Sequence, residues 1–367
     1  MLGQPQEQLG PVLLARLGIR RVRPEPDHEA RSEQPEVLPQ RAVLAEDLGL
    51  RHGVERPASA IVPSAAGIRG VRCVTAPASA PLVQSRKIGR WQVHAIQAGG
   101  QKLDGGAMFG VVPKPLWERK IQADARNRIQ LGMRCLLIEH ESGLVLVDTG
   151  AGNKETEKFH DIYGVENAGT DGATQLEDGL RQLGVALSDI AIVINMHLHF
   201  DHAGGNTRRA TTGAIPSFPN ARYVVQAGEY EYATHTNERT AASYFPHNFV
   251  PLREAGCLDL ISGEREVVAG ITAVPTPGHV PFHQSIRLES DGEVALFLGD
   301  LAPTAAHLPL PWIMGYDVEP LVTLETKRRV LRLAADASWL LVFEHDPTTA
   351  WGRLSPDDEK PVLVSAD

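Results

Sequence analysis

The chain has 367 residues, 43% hydrophobic and 22% charged, which suits one large globular domain or two modest ones. A formal net charge of −9 argues against a nucleic-acid partner; no apolar run approaches the roughly 20 residues of a membrane span, and residues 1–22 lack the basic start and apolar core of a secretory signal. Three cysteines, Cys73, Cys135 and Cys257, show no CxxC spacing and are too few for a disulfide framework, so the expected compartment is the reducing cytoplasm.

Residues 1–86 differ in composition from the rest. They hold 10 of the 26 prolines and 11 arginines, but no lysine, no asparagine and none of the 20 aromatic residues. Such a segment has little to pack and is expected to be disordered. Its missing residue types are largely those with A/T-rich codons, so the competing expectation is a mis-annotated extension read from upstream of the true start. The domain proper is expected over 87–358, with a tail at 359–367.

Within that domain a strand is expected at 90–96, ending in a glycine-rich turn at Gly99-Gly100. A hairpin follows, 133–140 and 144–147, joined through Glu141-Ser142-Gly143 and ending in Asp148-Thr149-Gly150. A helix carries Leu176, Leu180 and Leu183, opened by a Thr174/Glu177 capping box and stopped at Gly184. It leads into the apolar strand 190–194. Further strands are expected at 221–226, 270–274, 294–298 and 340–343, and helices at 228–234 and 324–335. Strands mixed with helices predict two sheets with helices outside.

The strand 190–194 runs into His197-Leu198-His199-Phe200-Asp201-His202, four metal-ligand side chains in six residues. Burying so many titratable groups without a cation would carry a large desolvation cost, and imidazoles with a carboxylate suit zinc and its first-row neighbours. Three later residues stand, like these, at the ends of apolar strands: His279 in Thr276-Pro277-Gly278-His279, Asp300 in Phe297-Leu298-Gly299-Asp300, and His345 in Val342-Phe343-Glu344-His345-Asp346. Each alone could be a structural polar residue at a strand end.

Together these elements resemble the metallo-β-lactamase superfamily, whose pattern is HxHxDH, a histidine in a TPGH context, an aspartate after a strand, and a final histidine. The resemblance covers about residues 90–355. It implies an α+β fold, a four-layer αββα sandwich, with two divalent metal ions, zinc by preference, at one edge of the sheets. It further implies His197, His199 and His279 on one ion, Asp201, His202 and His345 on the other, and Asp300 between them. Two such ions activate water as a nucleophile and polarise the bond under attack. Asp201 has a possible second, catalytic task as proton donor to the leaving group. Asp148 is expected behind the ligands, accepting the outer N–H of a histidine, and His283 is expected to be supporting rather than ligating.

The segment Leu103-Asp104-Gly105-Gly106-Ala107-Met108-Phe109-Gly110 and Pro113 is similar to the branch containing N-acyl-homoserine lactonases and methyl parathion hydrolase. That branch implies a small-molecule ester, lactone or phosphotriester as substrate. A glyoxalase-II-like thioesterase is an alternative, as is a redox or non-catalytic metal protein on the same scaffold. Lactonases of this kind place a tyrosine shortly after the bridging aspartate, whereas Leu301, Ala302 and Pro303 stand here. Tyr316 is the candidate replacement, from the proline-stiffened loop 307–314 and its continuation. Phe109 and Trp312 are the other candidate substrate contacts, with Trp117, Phe245 and Phe282 as companions. Oligomeric state is not legible.

Overall fold

The computed structural model describes residues 81–211, 213–355 and 363–364. Its first seven-stranded sheet has the order β1 (Val83–Ile88), β2 (Trp91–Asp104), β3 (Arg128–His140), β4 (Gly143–Val147), β5 (Ile190–Ile194), β8 (Arg222–Gln226) and β9 (Leu258–Ile261). The second runs β10 (Arg265–Val268), β11 (Ile271–Pro275), β12 (Gln284–Ser290), β13 (Glu293–Phe297), β14 (Leu340–Val342), β15 (Trp351–Leu354) and β16 (Leu363–Val364). A small hairpin, β6 (Thr207–Ala210) with β7 (Gly213–Pro216), stands apart from both.

Strand alternation explains the layers. Val93, Leu136, Ile138, Val145, Val147, Ile192 and Ile194 of the first sheet meet Ile271, Ile286, Phe297, Leu340 and Val342 of the second in one buried cluster. The opposite faces of these strands are also apolar. Leu137, Leu146 and Val193 pack under Leu176 and Leu180 of the helix Gln175–Gln182, and Leu296, Leu341 and Phe343 pack under Val330, Leu331 and Ala334 of the helix Pro320–Asp336. Helix, sheet, sheet, helix is the αββα order. The capping box of the first helix forms as expected: the Thr174 hydroxyl accepts from the Glu177 backbone N–H, and the Glu177 carboxylate accepts from the Thr174 backbone N–H.

Several boundaries differ from expectation. Pairing begins at Val83, inside the segment assigned to the extension, because Val83–Ile88 finds a complete antiparallel partner in Trp91–Ile96. Residues 1–80, and with them the expectations of disorder or misplaced start, lie outside the described residues. Leu363 and Val364, assigned to the tail, pair with Leu354 and Arg353 at the edge of the second sheet. Gly99-Gly100 is a bulge rather than a turn: β2 continues to Asp104, and its register against β3 shifts between Gln97 and Gly100. Gly99 has φ 141°, and a Cβ there would lie 2.5 Å from that of Asn167. An irregularity of this kind re-aims the strand beyond it, and here it carries Gln101 to the ligand cluster.

Candidate metal centre and substrate cavity

The strand ends converge. Residues 197–202 follow β5 of the first sheet, while His279, Asp300 and His345 follow β11, β13 and β14 of the second. All seven expected ligands meet there in overlapping groups: His197 with His199 and His279, Asp201 with His202 and His345, and His197 with His202 and Asp300, the donor atoms of each group lying within 4.8 Å of one another.

Three of the rings are oriented from behind. His202 Nδ1 lies 2.8 Å from Asp148 Oδ2, His279 Nδ1 lies 2.9 Å from Asp317 Oδ1, and His345 Nδ1 lies 2.8 Å from the Gly132 carbonyl. Acceptors at Nδ1 place the proton there and leave Nε2 as a lone pair facing inward. These inward nitrogens then meet other bases. His279 Nε2 is 3.2 Å from His199 Nδ1, His345 Nε2 is 3.3 Å from His202 Nε2, and both Nε2 atoms are 3.0 Å from Asp300 oxygens. Among the described residues both ring nitrogens of buried His197 have no hydrogen-bond partner. Lone pairs and carboxylates gathered in a buried pocket need a cation between them, so the donor set fits divalent metal.

The supporting residues are equally specific. Asp148, at the end of β4 with φ 56°, also accepts from the Met196 backbone N–H at 2.8 Å, fixing the approach to the hexapeptide. His283 is buried, which pushes its imidazolium down to about 3, so the ring is neutral. Its Nε2 accepts the Asp300 backbone N–H at 3.1 Å while Nδ1 faces Thr276, so both ring nitrogens are engaged within the protein. Gly299 makes this contact possible: at φ 54°, a Cβ would lie 2.8 Å from that same Nε2.

Sequence reasoning missed several of these partners. Gln101 donates to Asp201 Oδ2 at 2.5 Å, Asp317 orients His279, and Glu344 Oε1 lies 3.0 Å from His202 Nδ1. Buried Glu229 accepts from the Leu198 backbone N–H and from the Tyr244 hydroxyl, at 3.0 and 2.9 Å. Only Glu344 had a local signal, its place beside His345; the others come from a strand, a helix and loops distant in sequence.

Above the ligands opens a cavity of about 390 Å³. Its floor includes His199, Asp201, His279, Asp300 and His345, and its walls are largely apolar, with Leu103, Met108, Leu131, Phe200, Val280 and Met314 among them. Tyr316 lines it, and burial pushes its phenol up to about 12, so the hydroxyl stays protonated near neutral pH. Phe109 and Trp312 do not line it. Phe109 is fully buried, stacked on Trp117 and His307 at 5.3 and 4.5 Å, with Trp312 edge-on at 5.6 Å; this aromatic cluster is core behind the wall. Trp117, Phe245 and Phe282 are likewise absent from the lining. Tyr163 and Arg239 were not anticipated and do line it. The wall loop is tied down by buried Lys327, whose Nζ donates to the carbonyls of Pro309 and Trp312 at 2.9 and 2.8 Å.

Residues 134–345 match the model of the metallo-beta-lactamase superfamily. The chain is 32% identical over 228 residues to an N-acyl homoserine lactonase of Bacillus thuringiensis, covering 59% of this chain and 82% of that protein. A probable metal-dependent hydrolase from Staphylococcus aureus has a similar structure, with a TM-score of 0.70 and 32% identity over 77% of this chain and 99% of that one. AidC, a dizinc quorum-quenching lactonase, shares the fold at a TM-score of 0.66 and 17% identity, over 79% and 98% of the two chains.

Proposed function

This chain belongs to the metallo-β-lactamase superfamily and is a metal-dependent hydrolase, and we propose that it opens lactones or closely related small esters with two zinc ions. The observation that carries the reading is the gathering of seven ligand side chains, five of which line the floor of a cavity with apolar walls. The N-acyl homoserine lactonase of Bacillus thuringiensis favours a lactone over the thioester and phosphotriester alternatives.

In the proposed assignment His197, His199 and His279 would hold one ion and Asp201, His202 and His345 the other, with Asp300 available to both. When bound, such ions supply an activated water and Lewis acidity toward the scissile carbonyl. The rest falls to the chain. Gln101 donates to one oxygen of Asp201, and the carboxylate would take up the proton released by the attacking water and pass it to the leaving alkoxide. Tyr316, a neutral donor, hydrogen-bonds a substrate oxygen, taking from another loop the place left empty by Leu301, Ala302 and Pro303. The apolar walls take the acyl part and exclude water.

The test is a hydrolysis panel on the zinc-loaded protein, spanning lactones, carboxylic esters, thioesters, phosphotriesters and β-lactams, with elemental analysis of the same sample. Lactone opening that disappears on chelation, with about two ions per chain, is expected. A folded protein holding two ions that cleaves thioesters and leaves lactones intact would overturn the substrate assignment. One ion per chain would overturn the dinuclear one.

A further inference from the structure

The cavity walls carry a cationic side chain. Among the described residues Arg239 is the only lysine or arginine in the lining, and the two lining carboxylates, Asp201 and Asp300, both belong to the floor. The guanidinium is anchored through one nitrogen. Its Nη2 donates to the carbonyls of Gly315 and Asp317, at 2.8 and 3.3 Å, on either side of Tyr316. A guanidinium has five N–H donors in a planar fork, and among the described residues Nε and Nη1 have no protein partner. No carboxylate of the described residues forms an ion pair with it.

A fork fixed at one end, open at the other and set in a wall without an anion is suited to a planar, charged acceptor brought by a ligand. We propose that Arg239 is a specificity-determining residue that pairs with a carboxylate carried by the substrate away from its scissile carbonyl, so that the cavity favours carboxylate-bearing esters and lactones over neutral ones. This rests on the hydrolase reading above. A hydrogen-bonded charge pair at an open cavity wall has a moderate effect, so a preference of about tenfold is expected rather than an absolute requirement.

The experiment compares kcat/KM for 4-nitrophenyl hemiglutarate with that for 4-nitrophenyl pentanoate, a neutral acyl chain of similar length, on zinc-loaded protein. Wild type is expected to favour the hemiglutarate about tenfold, mainly through KM. Arg239→Gln, which keeps an amide donor for the two carbonyls, is expected to bring the ratio near one, and Arg239→Lys to keep part of it. A merely structural clamp would lower both rates together and leave the ratio intact. That result, or no preference in wild type, overturns the proposal. If wild type cleaves neither ester, the ester-hydrolysis reading fails by itself, and calorimetry decides the role of Arg239. Glutarate binding more tightly than butyrate to wild type, and equally with it to Arg239→Gln, sustains the role; equal binding to wild type ends it.

Discussion

At and just beneath the cavity floor His202, His279 and His345 are each turned by a buried acceptor behind the ring, whereas the loop over residues 307–317 is held largely through backbone carbonyls and presents Met314 and Tyr316 to the cavity. The floor is thus fixed by residue identity at a few positions. Lose one acceptor and a ring nitrogen is mis-set, with a cost passed directly to the cation. The lining part of the wall is fixed largely by where the backbone runs, so Met314 and Tyr316 can change while the loop stays in place. In the proposed reading the first region carries the chemistry and the second the selectivity.

The sharpest way to break this contrast is Asp300→Asn. It keeps the size of the side chain but removes a negative charge set among His202, His279 and His345, so metal content should fall and activity should drop by orders of magnitude. Asp291→Asn, in the exposed β12–β13 turn, should do neither, and elemental analysis with turnover reads both. Two retained ions and normal turnover in Asp300→Asn would show that the floor does not depend on this charge.

A smaller effect is expected one step back from the ligands. Asp317→Ala removes the acceptor of His279 Nδ1 and should weaken metal affinity about 10- to 100-fold, read by competition with a chromophoric chelator. Unchanged affinity would mean that the ring is positioned by packing alone. On the wall, Tyr316→Phe should lower kcat/KM about tenfold on the best lactone and leave metal content and melting temperature as they were. A fall in metal content instead would move Tyr316 to the floor.

The smallest effect is a pH slope. Burial pushes the Lys327 ammonium down from an ordinary 10.5 to about 7. Below that value folded and unfolded chains are both protonated and the cost of burying the charge is present in full. Between about 7 and 10.5 the unfolded chain holds a proton the folded one has released, so stability rises with pH across that window. Lys327→Met should flatten the rise in melting temperature from pH 7 to 9. Lys154, pushed down to about 8 by burial, contributes with the same sign and is common to both proteins, so the difference isolates Lys327. Identical slopes would show that Lys327 releases no proton in that window.

The same contrast explains what the sequence made legible. Ligands at strand ends are local patterns, and 197–202, His279, Asp300 and His345 could be read because each follows an apolar run. So could most of the sheets, except β12 (Gln284–Ser290), whose Gln284, Ser285 and Arg287 interrupt the apolar positions, the edge strands β1, β9 and β10, and the short β15. Asp317 and Gln101 were invisible, because their roles depend on a loop and a bulge meeting strands far away in sequence. Phe109 and Trp312 misled for a related reason: an aromatic residue near a functional segment has the same sequence appearance whether it faces the cavity or the core behind it. Only the stacking partners decide.

One further consequence follows from the division of the ligands between the sheets. Four come after β5 of one sheet and three from strands of the other, so in the proposed assignment the ions are rivets between two halves of the sandwich as well as reagents. Their binding free energy then adds to the cohesion of the folded chain by mass action. A cell short of zinc would lose more than turnover: the apo chain would open more often and be cleared sooner by proteases, coupling the enzyme's abundance to its metal supply.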